Sequence, residues 1–308
     1  MILPKISIVT PSFNQADFLE ETINSILSQN YPNLEYLIID GGSSDKSVDI
    51  IKKYEKYLTY WISEPDNGHG NAINKGFSRS TGEIMGWLNS DDKYYPWTLR
   101  TVAEVFTLFN DVKWLTGIAS VYNEKGVLEA TYNWKKNEYD FLTGNYKWIQ
   151  QESTFWKRDL WDRAGAHIDE SYKLMVDGEL WSRFFKLEKH WHLNAVIGGF
   201  RKHSSNRGRT HEAEVEMNKI CESLLCSANE ENLDKLLKVF NIMEKRRDLA
   251  RVRLTKLLPY YLFRKFVVNH KQKEITKFNS DNNFATYHTI NFIGGKWEKQ
   301  IQPMVLSK

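Results

Sequence analysis

The chain has 308 residues, of which 41% are hydrophobic and 26% are charged. This composition predicts a globular protein with a sizeable core, and it excludes a disordered or fibrous chain. The length allows one large domain or two smaller ones. The formal net charge is only +3, but residues 245–277 hold eleven Lys or Arg against two acidic residues, a local charge of +9 that leaves 3 − 9 = −6 elsewhere.

The cysteines and the hydropathy pattern indicate the compartment. Cys221 and Cys226 are too few for a disulfide scaffold, and their spacing matches no common zinc motif. No window approaches the roughly 18 apolar residues that span a bilayer, and the N-terminal residues lead into a strand pattern instead of a signal peptide. We expect a reducing compartment, with the protein cytoplasmic or peripheral on the inner face of the cell membrane.

The first hundred residues alternate between strand and helix patterns. Short apolar, β-branched runs predict strands, and apolar residues at helical spacing predict helices. The predicted strands are 6–10, 36–39, 58–62 and 84–88, and the predicted helices are 17–29, 45–54 and 70–80. This alternation predicts an α/β fold with a mostly parallel sheet and helices on both faces.

The alternation weakens after residue 110. Strand patterns at 113–115, 127–132 and 192–197 surround helix patterns at 158–164 and 177–189. We interpret residues 1–210 as one domain with halves of about 1–110 and 111–210. Longer helical patterns at 212–226, 230–245 and 248–268 then predict a helical, basic C-terminal extension over 211–308.

Four polar segments follow the predicted strands, at residues 11–14, 40–45, 64–70 and 89–93. Open α/β sheets bind ligands beyond the carboxyl ends of their strands, so we expect the chemistry there. These segments are rich in Asp, Asn, Ser and Gly, which bind ligands but also form turns.

Two of these segments contain candidate carboxylates. Adjacent Asp91 and Asp92 repel each other unless a cation neutralises them, and Mg²⁺ or Mn²⁺ binds carboxylate oxygens. A turn with capping acids is the alternative. Asp40 precedes Gly41 and Gly42 and is placed to accept a hydrogen bond from a nucleotide base or ribose. The phosphate-loop spacing of Gly and Lys is missing, which disfavours a P-loop kinase or ATPase.

Six short motifs, in this order, together resemble glycosyltransferase family 2. They are Thr10-Pro11-Ser12-Phe13-Asn14, Ile39-Asp40-Gly41-Gly42-Ser43-Ser44-Asp45, Glu64-Pro65-Asp66-Asn67-Gly68, Ala72-Ile73-Asn74-Lys75-Gly76, Thr81-Gly82-Glu83 and Leu88-Asn89-Ser90-Asp91-Asp92. The resemblance implies a GT-A fold, a Rossmann-like sheet flanked by helices. It also implies transfer of a sugar from a nucleotide diphosphate with inversion, usually with Mn²⁺ or Mg²⁺.

The resemblance assigns a donor site and a metal site. The donor residues it implies are Thr10, Pro11, Ser12, Asn14, Asp40, Asp66, Lys75, Asn89, Ser90, Asp91 and Arg207. The metal ligands it implies are Asp91, Asp92 and His203, although a solvated histidine in a polar loop is the alternative for His203. Asn89 replaces the first Asp of the family's motif, and which of Asp91 and Asp92 ligates the metal directly stays open. Arg201, Arg207 and Arg209 form a basic segment that could close over the diphosphate.

The base and the acceptor site are also assigned by resemblance. Inversion needs a carboxylate that takes a proton from the acceptor hydroxyl, and Asp177 matches that position. A simple helix cap is the alternative for Asp177, and Glu179 is a second candidate base. The implied acceptor-site residues are Gln151, Glu152, Trp148, Trp181 and Glu179. His190 and His192 share a strand face without a nearby third ligand, so we predict no metal there.

The sequence thus predicts an inverting hexosyl- or N-acetylhexosaminyl-transferase. The resemblance favours a UDP-sugar donor and a glycan or lipid-linked glycan acceptor, in bacterial surface polysaccharide synthesis. Two alternatives stay open. A sugar-nucleotide nucleotidyltransferase should carry a glycine-rich basic loop near its first strand, where residues 11–15 have neither Gly nor Lys. A non-catalytic scaffold that binds nucleotide sugars would need no base.

The basic segment 245–277 has aromatic and aliphatic residues interleaved with its Lys and Arg. Such a helix suits the surface of an anionic membrane, at about 1 kcal/mol per basic residue. A helix packed on the catalytic domain with a solvated basic face is an equal alternative. Pro259 interrupts the helix pattern and no nucleic-acid module is recognisable, so we expect no nucleic-acid partner.

Overall fold

A computed structural model describes residues 3–138, 149–204, 206, 211–226 and 286–303. Its helices are α1 (Ala16–Leu27), α2 (Ser47–Tyr54), α3 (His69–Phe77), α4 (Thr98–Leu108), α5 (Arg158–Arg163), α6 (Val176–Leu187) and α7 (His211–Cys226). Short 3₁₀ turns lie at Glu55–Tyr57 and Gln151–Ser153. Among these residues, none of the helices has the length and apolarity that crossing a membrane requires.

Thirteen strands are seen in these ranges. They are β1 (Ile6–Ser12), β2 (Leu34–Asp40), β3 (Tyr60–Ser63), β4 (Ile84–Trp87), β5 (Lys93–Tyr94), β6 (Trp114–Thr116), β7 (Ala119–Asn123), β8 (Leu128–Tyr132), β9 (Thr154–Lys157), β10 (Trp191–Leu193), β11 (Gly198–Lys202), β12 (Thr286–Ile293) and β13 (Lys296–Pro303). The βα alternation predicted for the first hundred residues is therefore present, with bounds shifted by one or two residues at most ends.

The central sheet has nine strands in the order β13-β12-β10-β6-β9-β4-β1-β2-β3. β4, β1, β2 and β3 are parallel to one another, whereas β9 runs antiparallel to both its neighbours. A second sheet has the order β5-β11-β7-β8. The sheet is thus mixed, with its parallel half built from the first ninety residues.

Strand β1 continues two residues beyond the predicted end, through Pro11 and Ser12. Proline lacks the N–H that a ladder needs, so it is rare in a central strand. Here β1 pairs with β2 along its whole length, but its pairing with β4 stops at Val9 and Trp87. One side of β1 is therefore free of sheet pairing at Pro11, where the site begins.

Two buried clusters cover the faces of the central sheet, because successive residues of each strand point to opposite faces. Val9 and Trp87 belong to the cluster under α3, α5, α6 and α7, while Ile8 and Leu88 belong to the cluster under α1, α2 and α4. Gly76 of α3 is needed for close packing, since a Cβ there would lie 2.4 Å from Cγ1 of Val9. The predicted helices on both faces are confirmed.

The prediction of an entirely helical extension over 211–308 is wrong for its last described part. Strands β12 and β13 lie at one edge of the central sheet, and β12 pairs in parallel with β10. Residues 286–303 thus belong to the same sheet as the first domain, because the edge of β10 offers unpaired backbone groups that β12 satisfies. The predicted helix at 212–226 is present as α7, while those at 230–245 and 248–268 lie outside the described residues.

Candidate active site

The loops that follow β1 and β2 are joined to each other by Asn14. Its backbone N–H donates to Ser43 Oγ at 2.8 Å, and its Oδ1 accepts from the Ser44 N–H at 2.9 Å. Asn14 has a φ of 52°, a left-handed conformation that asparagine tolerates better than most residues. The predicted donor residue Asn14 therefore shapes the loop at this edge of the sheet.

Asp40 ends β2 with a fully buried side chain. Its Oδ2 accepts from the N–H groups of Gly42 and Ser43 at 3.1 and 2.9 Å and from Ser63 Oγ at 2.7 Å, while Oδ1 accepts from Ser43 Oγ at 2.5 Å. Asp40 thus holds the Gly-Gly-Ser turn and β3 together. The turn-forming role that the sequence allowed is present, at the place where the donor role was predicted.

Asp66 lies against the same turn. Its Oδ1 accepts from the Gly68 N–H at 2.7 Å, and a Cβ on residue 41 would lie 2.9 Å from its Oδ2. Gly41 therefore leaves room for the Asp66 carboxylate beside the end of β2. Lys75 of α3 is held by Glu64, with 2.8 Å between Nζ and Oε1. These loops place the Asp66 carboxylate next to Gly41, which follows Asp40, and Lys75 bonds a neighbouring acid.

The remaining predicted donor residues of β1 are buried. Thr10 Oγ1 is 3.1 Å from the hydroxyl of Tyr36, within the core. The Oγ of Ser12 is buried and has no hydrogen-bond partner in the described part of the chain. Because buried hydroxyls are normally paired, Ser12 is the one of these residues with bonding capacity left for a ligand.

Asp91 and His203 are brought together by β4 and β11. Asp91 Oδ2 lies 2.9 Å from His203 Nε2, and the His203 ring packs on Phe18 with 4.6 Å between ring centroids. The Asp91 side chain is 17% exposed. Two of the three predicted metal ligands, 112 residues apart in sequence, therefore face each other at the surface of the site.

Asp92 points the other way, into the protein, where it is fully buried. Its Oδ1 accepts from the Arg201 N–H at 2.8 Å, and its Oδ2 accepts from Gln151 Nε2 at 3.2 Å and Asn89 Nδ2 at 3.3 Å. Burial, with smaller contributions from Asp91 and Glu152, raises the pKa of Asp92 well above its usual value. Asp92 thus joins β11 and the Gln151 turn to the end of β4, and both of its oxygens already accept hydrogen bonds from the protein.

The residues at hand fit a divalent ion only in part. Within the described ranges, no group of three or more His, Cys, Asp or Glu side chains is arranged around one point. The Asp91 oxygen and the His203 nitrogen are 2.9 Å apart, close to the spacing of adjacent ligands on an ion with bonds of about 2.1 Å. The pair fits two positions of such an ion, and the remaining ligands would have to come from elsewhere.

Glu152 lies beside these carboxylates in the 3₁₀ turn before β9. Burial, helped by Asp177 and Asp91, raises the pKa of Glu152 to about 8. Lys136 is equally buried, and burial lowers its pKa to about 7 despite the opposing charge of Glu152. Lys136 Nζ and Glu152 Oε1 have no hydrogen-bond partner among the residues described. Lys136 lies in a polar stretch of the sequence that carries no local signal of a functional residue.

Asp177 is the second residue of α6, and it is 8% exposed. Its Oδ1 accepts from the Gly178 N–H at 2.8 Å. Its charge, like that of Asp91, acts on the pKa of Glu152, so these three carboxyl groups lie around one region of the site. The predicted base thus acts electrostatically on Glu152, one of the predicted acceptor residues.

Two of the residues predicted for the acceptor side make contacts within the protein. Trp181 is fully buried, and its ring is stacked between Trp87 at 5.8 Å and Trp114 at 5.6 Å, so neither face is open to a sugar. Glu179 is held by Arg183, with two N···O distances of 2.8 and 2.7 Å. Both residues stabilise α6.

Arg201 also differs from its predicted role. Its guanidinium is 1% exposed and forms an ion pair with Glu21 at 2.5 Å, and its Nε donates to the Asp91 carbonyl at 2.7 Å. It therefore braces the loop that carries Asp91. Trp148, Arg207, Arg209 and the basic segment 245–277 lie outside the described residues.

Comparison with known proteins identifies relatives for the first part of the chain. Residues 7–115 match the model of the family "Glycosyl transferase family 2". An uncharacterized glycosyltransferase of Rickettsia typhi is 26% identical over 220 residues, which is 69% of each chain. The putative teichuronic acid biosynthesis glycosyltransferase TuaG of Bacillus subtilis is 38% identical over 96 residues, 30% of this chain and 37% of that protein.

Solved structures share the fold over nearly the whole chain. S. aureus TarS 1–349 in complex with UDP-GlcNAc superposes with a TM-score of 0.62 at 15% identity, over 98% of this chain and 99% of that one. The mannosyltransferase PcManGT from Pyrobaculum calidifontis, in complex with GDP-Man and Mn²⁺, gives a TM-score of 0.52 at 16% identity, over 92% and 88%. At these identities the likeness shows the fold alone.

Proposed function

The chain is a member of glycosyltransferase family 2 with a GT-A fold, and from that premise we propose that it transfers a sugar, with inversion, from a nucleotide-diphosphate donor to a hydroxyl group. The proposed acceptor is a glycan or lipid-linked glycan in bacterial surface polysaccharide synthesis. TuaG, named for teichuronic acid biosynthesis, supports that acceptor class.

One observation carries the proposal. Asp91, Asp177 and Glu152 come from three distant parts of the sequence, and yet the charges of Asp91 and Asp177 both act on the buried carboxyl group of Glu152. Clustering of carboxyl groups costs free energy through charge repulsion and desolvation unless a ligand or a cation binds them. Such a cluster is the arrangement that donor and acceptor binding would require.

The transfer step assigns one role to each group. The acceptor oxygen attacks the anomeric carbon, the bond from that carbon to the diphosphate oxygen breaks, and the acceptor proton goes to the Asp177 carboxylate. Glu152, largely protonated below pH 8, would donate a hydrogen bond to an acceptor hydroxyl, and Ser12 Oγ would bond the nucleoside.

Asp91 and His203 are the residues proposed to hold Mn²⁺ or Mg²⁺, which would neutralise charge on the diphosphate. The PcManGT structure contains Mn²⁺, which supports this choice of ion. We favour a UDP-sugar donor, because the TarS complex contains UDP-GlcNAc. PcManGT binds GDP-Man, so guanosine donors are tested as well.

Donor identity is tested by a thermal-shift panel of nucleotide diphosphates and nucleotide sugars, with and without Mn²⁺. A shift that needs both UDP and Mn²⁺ supports the proposed donor and metal. Equal stabilisation without Mn²⁺ refutes the metal role. A larger shift with GDP than with UDP indicates that the donor carries guanosine and not uridine.

Catalysis is tested with Asp177→Asn and with Asp159→Asn as the matched control, since Asp159 is also a first-turn acid, on α5. Asp177→Asn should lower transfer at least about 100-fold, the usual scale for loss of a general base, with donor affinity unchanged. Asp159→Asn should stay fully active. Full activity in Asp177→Asn removes Asp177 as the base, and donor binding without transfer in the wild type favours the scaffold alternative.

The basic segment 245–277 is proposed to contact an anionic membrane surface, on the basis of its +9 charge and interleaved apolar residues. Co-sedimentation with vesicles of phosphatidylglycerol and of phosphatidylcholine tests this. Binding to the anionic vesicles alone, weakened by salt, is expected. Equal sedimentation with both vesicle types, or with neither, contradicts it.

A further inference from the structure

We propose that Glu216 of α7 is a positioning residue for Asp177, because it fixes the chain segment that leads into α6. This inference rests on the proposed role of Asp177 as the base. Glu216 lies 39 residues after Asp177, on a helix that contributes no group to the transfer step.

The contact consists of three hydrogen bonds to consecutive backbone groups. The Lys173 N–H donates to Glu216 Oε1 at 2.9 Å, and the N–H groups of Leu174 and Met175 donate to Oε2 at 3.0 and 2.8 Å. Helix α6 begins at the next residue, Val176. Glu216 therefore satisfies backbone donors immediately before the helix whose second residue is Asp177.

The Glu216 carboxylate is ionised in this position. Its burial by itself raises the pKa, but the three backbone N–H groups outweigh that effect, so the pKa of Glu216 lies below its usual value. A negative charge at the N-terminal end of a helix also interacts favourably with the helix dipole. The bonds are thus charge-assisted, roughly twice as strong as bonds between neutral groups.

Helix α7 is held in place by its apolar face. Met217, Ile220 and Leu224 are buried in the same cluster as Leu180 and Phe184 of α6. The position of Glu216 is therefore set by packing and not by its own hydrogen bonds. A side chain fixed in this way can orient a partner segment.

The other end of the segment is fixed by α3. The Ile168 N–H donates to Asn74 Oδ1 at 2.7 Å, and the amides of Asn71 and Asn74 donate to the Glu170 carboxylate at 3.1 and 2.8 Å. Residues 168–175 thus connect α3, at the donor loops, to the start of α6. Glu216 is the contact that fixes the end of this segment next to the base.

The test compares Glu216→Ala and Glu216→Gln with Glu214→Ala, an exposed acid on the same helix whose side chain is 78% exposed. Glu216→Ala should lower kcat at least about tenfold, because small displacements of a catalytic group are costly. The Kd for UDP with Mn²⁺ should stay within about twofold of wild type, since the three bonds of Glu216 go to residues 173–175, which are not among the proposed donor residues. Glu216→Gln keeps one acceptor oxygen and should recover part of the kcat.

Hydrogen exchange locates the effect. The amides of Lys173, Leu174 and Met175 should lose protection in Glu216→Ala, while those of Ile168 and Gly178 keep it. Wild-type kcat in Glu216→Ala overturns the proposal, and so does a parallel loss of donor affinity and kcat, which indicates general unfolding. If Glu216→Ala does not fold, the kcat of Glu216→Gln is the deciding measurement. A wild-type kcat in that variant then overturns the proposal.

The two proposals fail separately. Full activity in Asp177→Asn refutes the base itself. An inactive Asp177→Asn together with a fully active Glu216→Ala refutes only the positioning role.

Discussion

Asp91 and Asp92 are adjacent acids that the structure turns in opposite directions, and their alanine variants should fail in different ways. Asp92→Ala removes the acceptor for the buried Arg201 N–H and for the amides of Gln151 and Asn89. Leaving one buried donor unpaired costs about 1–3 kcal/mol. The two amide bonds are long, at 3.2 and 3.3 Å, so we expect them to add little.

The expected loss of unfolding free energy for Asp92→Ala is therefore about 1–3 kcal/mol. Asp91→Ala removes a 17% exposed side chain that contacts His203, and it should change stability by less than about 1 kcal/mol. Urea unfolding without metal or nucleotide measures both values. Asp49→Ala, an exposed acid on α2, is the control and should match wild type.

Calorimetry with UDP and Mn²⁺ completes the comparison. Asp91→Ala should lose the Mn²⁺-dependent part of binding while staying folded, and the stability loss should be confined to Asp92→Ala. The reasoning is refuted if Asp92→Ala is as stable as wild type but has lost the metal, or if Asp91→Ala binds Mn²⁺ and UDP normally.

Two further predictions concern pH and stability. Burial alone raises the pKa of Glu35, but hydrogen bonds from Lys5, Ser7 and Thr81 outweigh it and lower the pKa to about 2. This group therefore stabilises the fold above pH 4.5, and its contribution is lost as pH falls towards 2. Glu35→Gln should cost up to about 3 kcal/mol at pH 7 in urea unfolding, and a difference that persists unchanged at pH 3 contradicts this. Glu152 has its pKa raised to about 8 by burial, so the folded state keeps its proton where the unfolded state has lost it. Stability should fall between pH 5 and 7 by at most about 1.4 kcal/mol per unit from this group, and Glu152→Gln should remove that slope. Lys136, with a pKa of about 7, is largely protonated in both states up to about pH 6, and it loses part of its proton in the folded state as pH approaches 7. An unchanged slope in Glu152→Gln would show that the Glu152 pKa is ordinary.

The sequence by itself determined the order of strands and helices up to residue 88 and the edge of the sheet where the site lies. Both follow from local properties, because hydrophobic periodicity specifies the elements, and successive parallel strands end at the same edge. For this reason the sequence alone predicts that Asp40, Asp66 and Asp91 lie at one edge of the sheet.

Contacts between distant segments were decided only by the tertiary structure. Asp91 and Asp92 look equivalent in sequence, and the Arg201 N–H, 109 residues away, determines which of them is buried. Trp181 has an aromatic ring of the kind that stacks on sugars, but Trp87 and Trp114 cover both faces of that ring. Strand β12 pairs with β10 across about ninety residues of chain, and Glu216 reaches back to the start of α6. Periodicity reports which residues are buried but not what they meet, because those partners are chosen by packing and by the pairing of backbone groups over long sequence distances.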